Sequence, residues 1–257
     1  LEQTGITVIT GEVGSGKTTL LRLLLQRIDY EKLTVGVVNN AHGNFQELLE
    51  WMGAAFEVPQ EGLSKIGHHQ ALQRFMVDEF NKGKRVVLII DEAQNIEPDA
   101  LEELRLLSNI NADKHQLLQL ILVGQPELLE TLREPGLRQF AQRVSTEFHI
   151  QPLNLKETMA YIRHRVRVAG SEETLFEQPA QLAIYYFSGG VPRLINTICD
   201  QALALAYGVD AKQVSLALAL ETVKGKKIGG INPHKNTHPD MEKIRILLEK
   251  SLKTELT

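Results

Sequence analysis

Gly11, Glu12, Val13, Gly14, Ser15, Gly16, Lys17 and Thr18 run G-x-x-x-x-G-K-T, the spacing that wraps a backbone around phosphate oxygens. The glycines let the chain come close enough for its N–H groups to face an anion. A helix starting at Lys17 would aim its N-terminus at the same charge. Lys17 would reach the β- and γ-phosphates of a nucleoside triphosphate, and the Thr18 hydroxyl would ligate Mg²⁺. At average glycine and lysine usage, a chance match in a chain of this length is roughly one in a hundred.

A second constellation ends the most apolar run of the chain. Asp91 and Glu92 follow Arg85–Ile90. Asp91 would hold the metal and Glu92 would polarise an attacking water. Two carboxylates at the mouth of a buried strand are costly unless a cation compensates them; the plainer alternative is a solvated acidic turn. Gln125 ends another apolar run, Leu120–Gly124, and is placed to touch the γ-phosphate or orient the water, unless it is a simple turn residue. Arg138 and Arg143 precede the last strand pattern, and one of them would reach a neighbouring subunit's γ-phosphate as an arginine finger. A solvated helix arginine is the plain alternative for each. Arg193 follows Gly189-Gly190-Val191-Pro192 at the first turn of a helix, positioned to bridge that helix to the nucleotide. Asn39 and Asn40 read as turn residues with nucleotide sensing as the sharper alternative. His68-His69 lacks metal spacing and reads as surface, and Cys199 reads as core. Arg163, Arg165 and Arg167 read as a solvated helix face, with nucleic-acid or partner binding as the sharper reading.

The elements that must position these residues follow from hydrophobic periodicity. Strands are predicted at Ile6–Thr10, Thr34–Asn39, Arg85–Asp91, Leu117–Gly124 and Thr146–Ile150. Helices are predicted from Lys17, from an Asn44 cap, from Ser64, from Pro98 and from Pro126. This alternation over residues 1–151 predicts a parallel sheet with helices on both faces. Beyond Pro152 only helical patterns remain: Leu155–Val168, Pro179–Phe187, Pro192–Tyr207 and Ala211–Val223. Residues 152–224 therefore read as a small all-helical domain. Gly225–Pro239 reads as a linker, followed by an amphipathic helix at Met241–Leu252; together they form a 225–257 tail.

The 257 residues carry a net charge of −4, so no global basic field advertises nucleic acid. The single cysteine excludes an internal disulfide. No apolar run spans a membrane, and cytoplasmic location is expected, including as the cytoplasmic domain of an inner-membrane protein. The chain begins at Leu1 without methionine, and a trimmed fragment is expected.

Five blocks together carry a family resemblance: Gly11–Thr19, Asp91–Asn95, Leu122–Leu128, Gln142–Val144 and Gly189–Arg193. From about Gly5 to Val223 the chain resembles the AAA+ superfamily and, more narrowly, the secretion-associated ATPases of the general secretion pathway A (ExeA-like) family. The resemblance implies an α/β P-loop NTPase with a three-layer parallel sheet of order 5-1-4-3-2 and a helical lid. It implies ATP and Mg²⁺ as ligands, with Gly11 to Thr19 holding the nucleotide, Thr18 and Asp91 on the metal, and Lys17 and Glu92 in catalysis. Gln125 matches a sensor position, Arg193 a second sensor, Arg143 the finger and Asn39 a polar switch. The family's segment before the first strand is absent from this sequence, which implies an open adenine end and weak ATP binding. An oligomer and a partner in the secretion apparatus follow from the same resemblance. The competing expectation is an ATP-switched DNA-binding regulator like the transposition ATPases. The charge balance and the lack of a winged-helix-sized C-terminal domain weigh against that.

Overall fold

Five strands form one sheet in the computed structural model, which describes residues 5–39, 44–59, 62–112, 115–224 and 241–252. They are β1 (Ile6–Gly11), β2 (Leu33–Val38), β3 (Arg85–Ile90), β4 (Leu118–Gly124) and β5 (Val144–Ile150). All pairings are parallel and the order is β5-β1-β4-β3-β2, as the resemblance implies. β3 and β4 are apolar almost throughout because they are inner strands covered on both faces. Thr10 pairs with Gly124, and Ile90 with both Val38 and Leu122. The residues that follow β1, β3 and β4 therefore leave the sheet along one edge.

The order and the handedness of the crossovers decide which face each helix covers. The β1-to-β2 connection passes over β4 and β3 in one direction, and every later connection runs the other way. Right-handed crossovers then put the first helix alone on one face. The packing agrees. Leu21 of α1 (Lys17–Arg27) meets Val87, Ile89, Ile121 and Val123. The opposite face, including Leu88, Ile90, Leu120 and Leu122, packs with α2 (Phe45–Ala55), α3 (Lys65–Asn81), α4 (Pro98–Ser108), α5 (Glu127–Leu132) and α6 (Arg138–Ala141). Helices cover both faces as expected, but one against five. The reversal of direction falls between β1 and β4, and open α/β sheets bind ligands at the strand C-termini beside such a point.

Local signals set the helix starts. The Asn44 side chain accepts from the N–H groups of Gln46 and Glu47, Ser64 accepts from Gly67, and Pro98 opens α4. A two-residue antiparallel ribbon, Asn111–Ala112 with His115–Gln116, precedes β4 and has no counterpart in the sequence reading. His68 corrects an expectation: it is buried, not surface. It lies four and eight residues before Leu72 and Met76 on the inner stripe of α3.

The chain divides into two compact units, Leu1–Ile150 and Gln151–Thr257. The described part of the second is helical: α7 (Leu155–Val168), α8 (Gln178–Ser188), α9 (Pro192–Gly208), α10 (Leu216–Lys224) and α11 (Met241–Leu252). Asn154 and Glu157 form a reciprocal capping box at α7. α10 starts later than the predicted Ala211, because Val214 bridges to Phe176. Its N–H donates to the Leu175 carbonyl and its carbonyl accepts from Glu177. Met241, Ile244 and Leu248 of α11 join the core of this unit. Cys199 packs against that core, and burial pushes its thiol up to about 12. The expected linker lies outside the described residues, as does Asn40.

Candidate functional site

The phosphate-loop motif folds back on the strand that precedes it. A Cβ at Gly11 would stand 2.6 Å from Ser15 Oγ and 3.1 Å from Ile150 Cβ, so any larger residue would displace its neighbours. The Ser15 N–H donates to the Glu12 carbonyl at 3.0 Å. Gly14 and Gly16 take left-handed φ values of 84° and 102°, which glycine adopts without the Cβ penalty. Lys17 is buried, and its Nζ donates to the carbonyls of Gly11 and Glu12 at 2.8 and 3.2 Å. The ammonium thus sits at the mouth of the loop. Ser15 Oγ is buried without a hydrogen-bond partner among the described residues, an orphan that an anion in the loop would satisfy. No side chain caps the start of α1 at Gly16, so its first N–H groups stay open towards the loop.

Asp91 leaves β3 beside this loop. Its N–H donates to the Val38 carbonyl at 2.9 Å, Oδ1 accepts from the Glu92 N–H at 3.0 Å, and Oδ2 accepts from the Thr18 hydroxyl at 3.5 Å. Burial pushes the Asp91 carboxyl above its ordinary value, only partly opposed by the Glu92 N–H. A carboxylate and a hydroxyl at this distance are hard oxygen donors that suit Mg²⁺, so the residues present fit the implied metal.

Glu92 turns away from the strand in a left-handed conformation, φ 56°, a costly choice for a residue with a Cβ. Its Oε2 accepts from Gln94 Nε2 at 2.7 Å and from Gln125 Nε2 at 3.3 Å. The Gln94 bond first, then the Gln125 bond and the Lys17 charge, hold the Glu92 carboxyl below its ordinary value against burial. Gln94 lies in the short 3₁₀ turn Ala93–Asn95, and its Oε1 accepts the Gln125 N–H at 3.0 Å. The sequence reading included Gln94 in a motif block but gave it no role. Its only signal was an amide two residues after the second carboxylate.

Lys17, Thr18, Asp91, Glu92 and Gln125 therefore stand together at one edge of the sheet. Arg143 does not join them. The Ile6 N–H donates to its carbonyl at 3.0 Å, which fixes it at the opposite end of β1. The five residue steps from Ile6 to Gly11 separate the two ends by about 17 Å. Arg143 is half-buried and Arg138, on α6, is exposed. Asn39 is exposed just after β2. Arg193 is exposed in the first turn of α9, within the second unit. There Gly189 and Gly190 take φ values of 60° and 76°, and the Gly190 carbonyl accepts from Leu153 at 2.9 Å. The two glycines ahead of Arg193 thus serve the α8–α9 corner. Arg163, Arg165 and Arg167 are exposed on α7. Among the described residues no helix is long and apolar enough to cross a membrane.

Comparison with known proteins adds to this geometry. The family described as AAA domain matches residues 1–132. General secretion pathway protein A of Aeromonas hydrophila is 38% identical over 227 residues, which takes in 86% of this chain and 41% of the relative. The chain thus spans about two fifths of that protein's length. Cdc6p from Pyrobaculum aerophilum superposes with a TM-score of 0.69 at 20% identity, over 96% of this chain and 68% of that one. The ORC2 protein of Aeropyrum pernix, in its ADPNP-ADP complexes, gives 0.65 at 20% identity over 97% and 69%. The RuvB Holliday junction branch migration motor of Thermotoga maritima gives 0.54 at 18% identity over 98% and 75%. At these identities the structural likeness is one of fold.

Proposed function

The chain belongs to the AAA domain family, and from that premise we propose that it binds ATP with Mg²⁺ and hydrolyses it as an oligomeric ATPase. The observation that carries this reading is the meeting of Lys17, Thr18, Asp91, Glu92 and Gln125 at the sheet edge where β1 and β4 end. The loop N–H groups and Lys17 would cradle the phosphates, with Gly11 to Thr19 forming the wall of the site. Thr18 and Asp91 would hold the Mg²⁺, which when bound neutralises charge on the phosphate oxygens. Glu92 would accept a proton from, or orient, the attacking water, and Gln125 would stand beside the same water. Arg143, too far from its own loop, would act on the loop of a neighbouring copy. In the same reading residues 152–224 are a lid that brings Arg193 to the nucleotide, and 225–257 are a linker and terminal helix outside it.

The 38% identity to General secretion pathway protein A supports a cytoplasmic role in which turnover drives assembly or remodelling of a bacterial secretion or envelope complex. The test is phosphate release from ATP with and without Mg²⁺. Wild type should turn over only with the metal. Lys17→Ala should lose nucleotide binding. Glu92→Gln should bind ATP normally and lose turnover. Turnover that survives chelation, or survives Glu92→Gln, would reject the assignment.

A further inference from the structure

Gln94 lies within the Asp91–Asn95 block, and its geometry gives it a role that the block alone does not suggest. Its side-chain oxygen accepts the backbone N–H of Gln125, and a backbone N–H can only donate. The atom facing it must therefore be the amide oxygen, which fixes the other terminal atom as the nitrogen that donates to Glu92 Oε2 at 2.7 Å. The orientation of this amide is thus set by chemistry, and a flip would break both bonds. The Gln125 side chain donates to the same oxygen, Oε2, at 3.3 Å. Neither amide reaches Oε1. One carboxylate oxygen is held twice and the other accepts from neither amide. Gly124 makes the arrangement possible: a Cβ there would stand 2.9 Å from Gln94 Oε1.

We propose that Gln94 is a positioning residue for hydrolysis, which ties the Glu92 carboxylate to the tip of β4 and leaves Oε1 as the oxygen that meets the water. This rests on the ATPase reading above. Gln94 touches neither nucleotide nor water in this account. It acts through Glu92, which a left-handed backbone alone would leave free to rotate about its side-chain torsions. Loss of the tie misplaces the base, and misplacement by an ångström costs on the order of 100-fold in rate. Because the nucleotide is held elsewhere, by the loop and Lys17, its affinity is untouched.

The experiment is steady-state ATP turnover with a parallel measurement of ATP affinity for wild type, Gln94→Met, Gln94→Glu, Glu92→Gln and Gln94→Met/Glu92→Gln. Gln94→Met keeps the length of the side chain and removes both bonds; kcat should fall about 10- to 100-fold with KM and Kd within about twofold. Gln94→Glu retains the acceptor for the Gln125 N–H but sets a carboxylate against Glu92, and should fall at least as far. In the Glu92→Gln background the methionine should cost nothing further, since the two residues act as one unit. A variant that merely unfolds loses affinity as well as rate, which counts against the inference. Wild-type turnover that is lost in Glu92→Gln but kept within twofold in Gln94→Met and Gln94→Glu overturns the inference alone. Wild-type turnover that survives Glu92→Gln overturns the ATPase assignment of Glu92 and the inference with it.

Discussion

The two ends of β1 differ in the residues they gather for the proposed chemistry. At the C-terminal end, Gly11 leads into the loop and accepts from Lys17, and Thr18, Asp91, Glu92, Gln94 and Gln125 are joined by hydrogen bonds. At the N-terminal end, about 17 Å away, Ile6 holds the Arg143 backbone. The first end gathers, among the described residues, the groups proposed to hold a phosphate and direct a water, with Lys17 as their cation. The second has a cation and none of the rest. A single copy cannot bring them together, because Arg143 is bound to the far end of the same strand. In the proposed reading a head-to-tail neighbour would. Binding would then be completed by one copy, and the last increment of turnover would take two.

Substitutions at the two ends should break this comparison in different ways. Arg143→Ala should have the largest effect, a loss of about 1000-fold in turnover. ATP affinity measured at low protein concentration should stay unchanged. An affinity that falls together with the rate would place Arg143 in its own site. Glu92→Gln should lower turnover on the order of 100-fold with binding intact, whereas weakened binding would show that Glu92 holds the metal instead. Gly11, the last residue of β1, and Gly5, just before it, sharpen the contrast. Gly11→Ala drives a methyl group into Ser15 Oγ and Ile150, so the loop must open. ATP affinity should fall about tenfold, equivalent to roughly 1.4 kcal/mol. Gly5→Ala places a methyl group 2.7 Å from the Arg143 carbonyl, at the other end. It should lower turnover severalfold, leave affinity alone and cost about 1–3 kcal/mol of stability, read from the urea midpoint. Equal effects of the two glycine variants on affinity would erase the distinction.

Much of this was legible in the sequence because it rests on local signals. Short β-branched runs gave the strands, Asn44, Ser64 and Pro98 gave the helix starts, and the glycine spacing gave the loop. The sheet order came with the family resemblance, and the uneven cover of the two faces then follows from crossover handedness. Two features were not read because they depend on contacts between distant residues. The Gln94 bonds need a left-handed turn at Glu92 and the tip of β4, and glutamate carries no preference that announces such a turn. α10 starts late because Val214 is engaged by Phe176, some forty residues earlier. His68 was read by its polarity, although its spacing to Leu72 and Met76 already placed it on the inner stripe of α3.

The division of labour between the two ends of β1 is tested most directly by mixing Arg143→Ala with Glu92→Gln. Each variant alone should turn over ATP at a few per cent of wild type or less, on the order expected for a lost finger or base. The mixture should recover activity, because one copy supplies Glu92 and its neighbour supplies Arg143. The wild-type rate per subunit should rise with protein concentration in the same assay. A mixture no more active than its parts, with a wild-type rate per subunit that is flat with concentration, would contradict a site shared between copies.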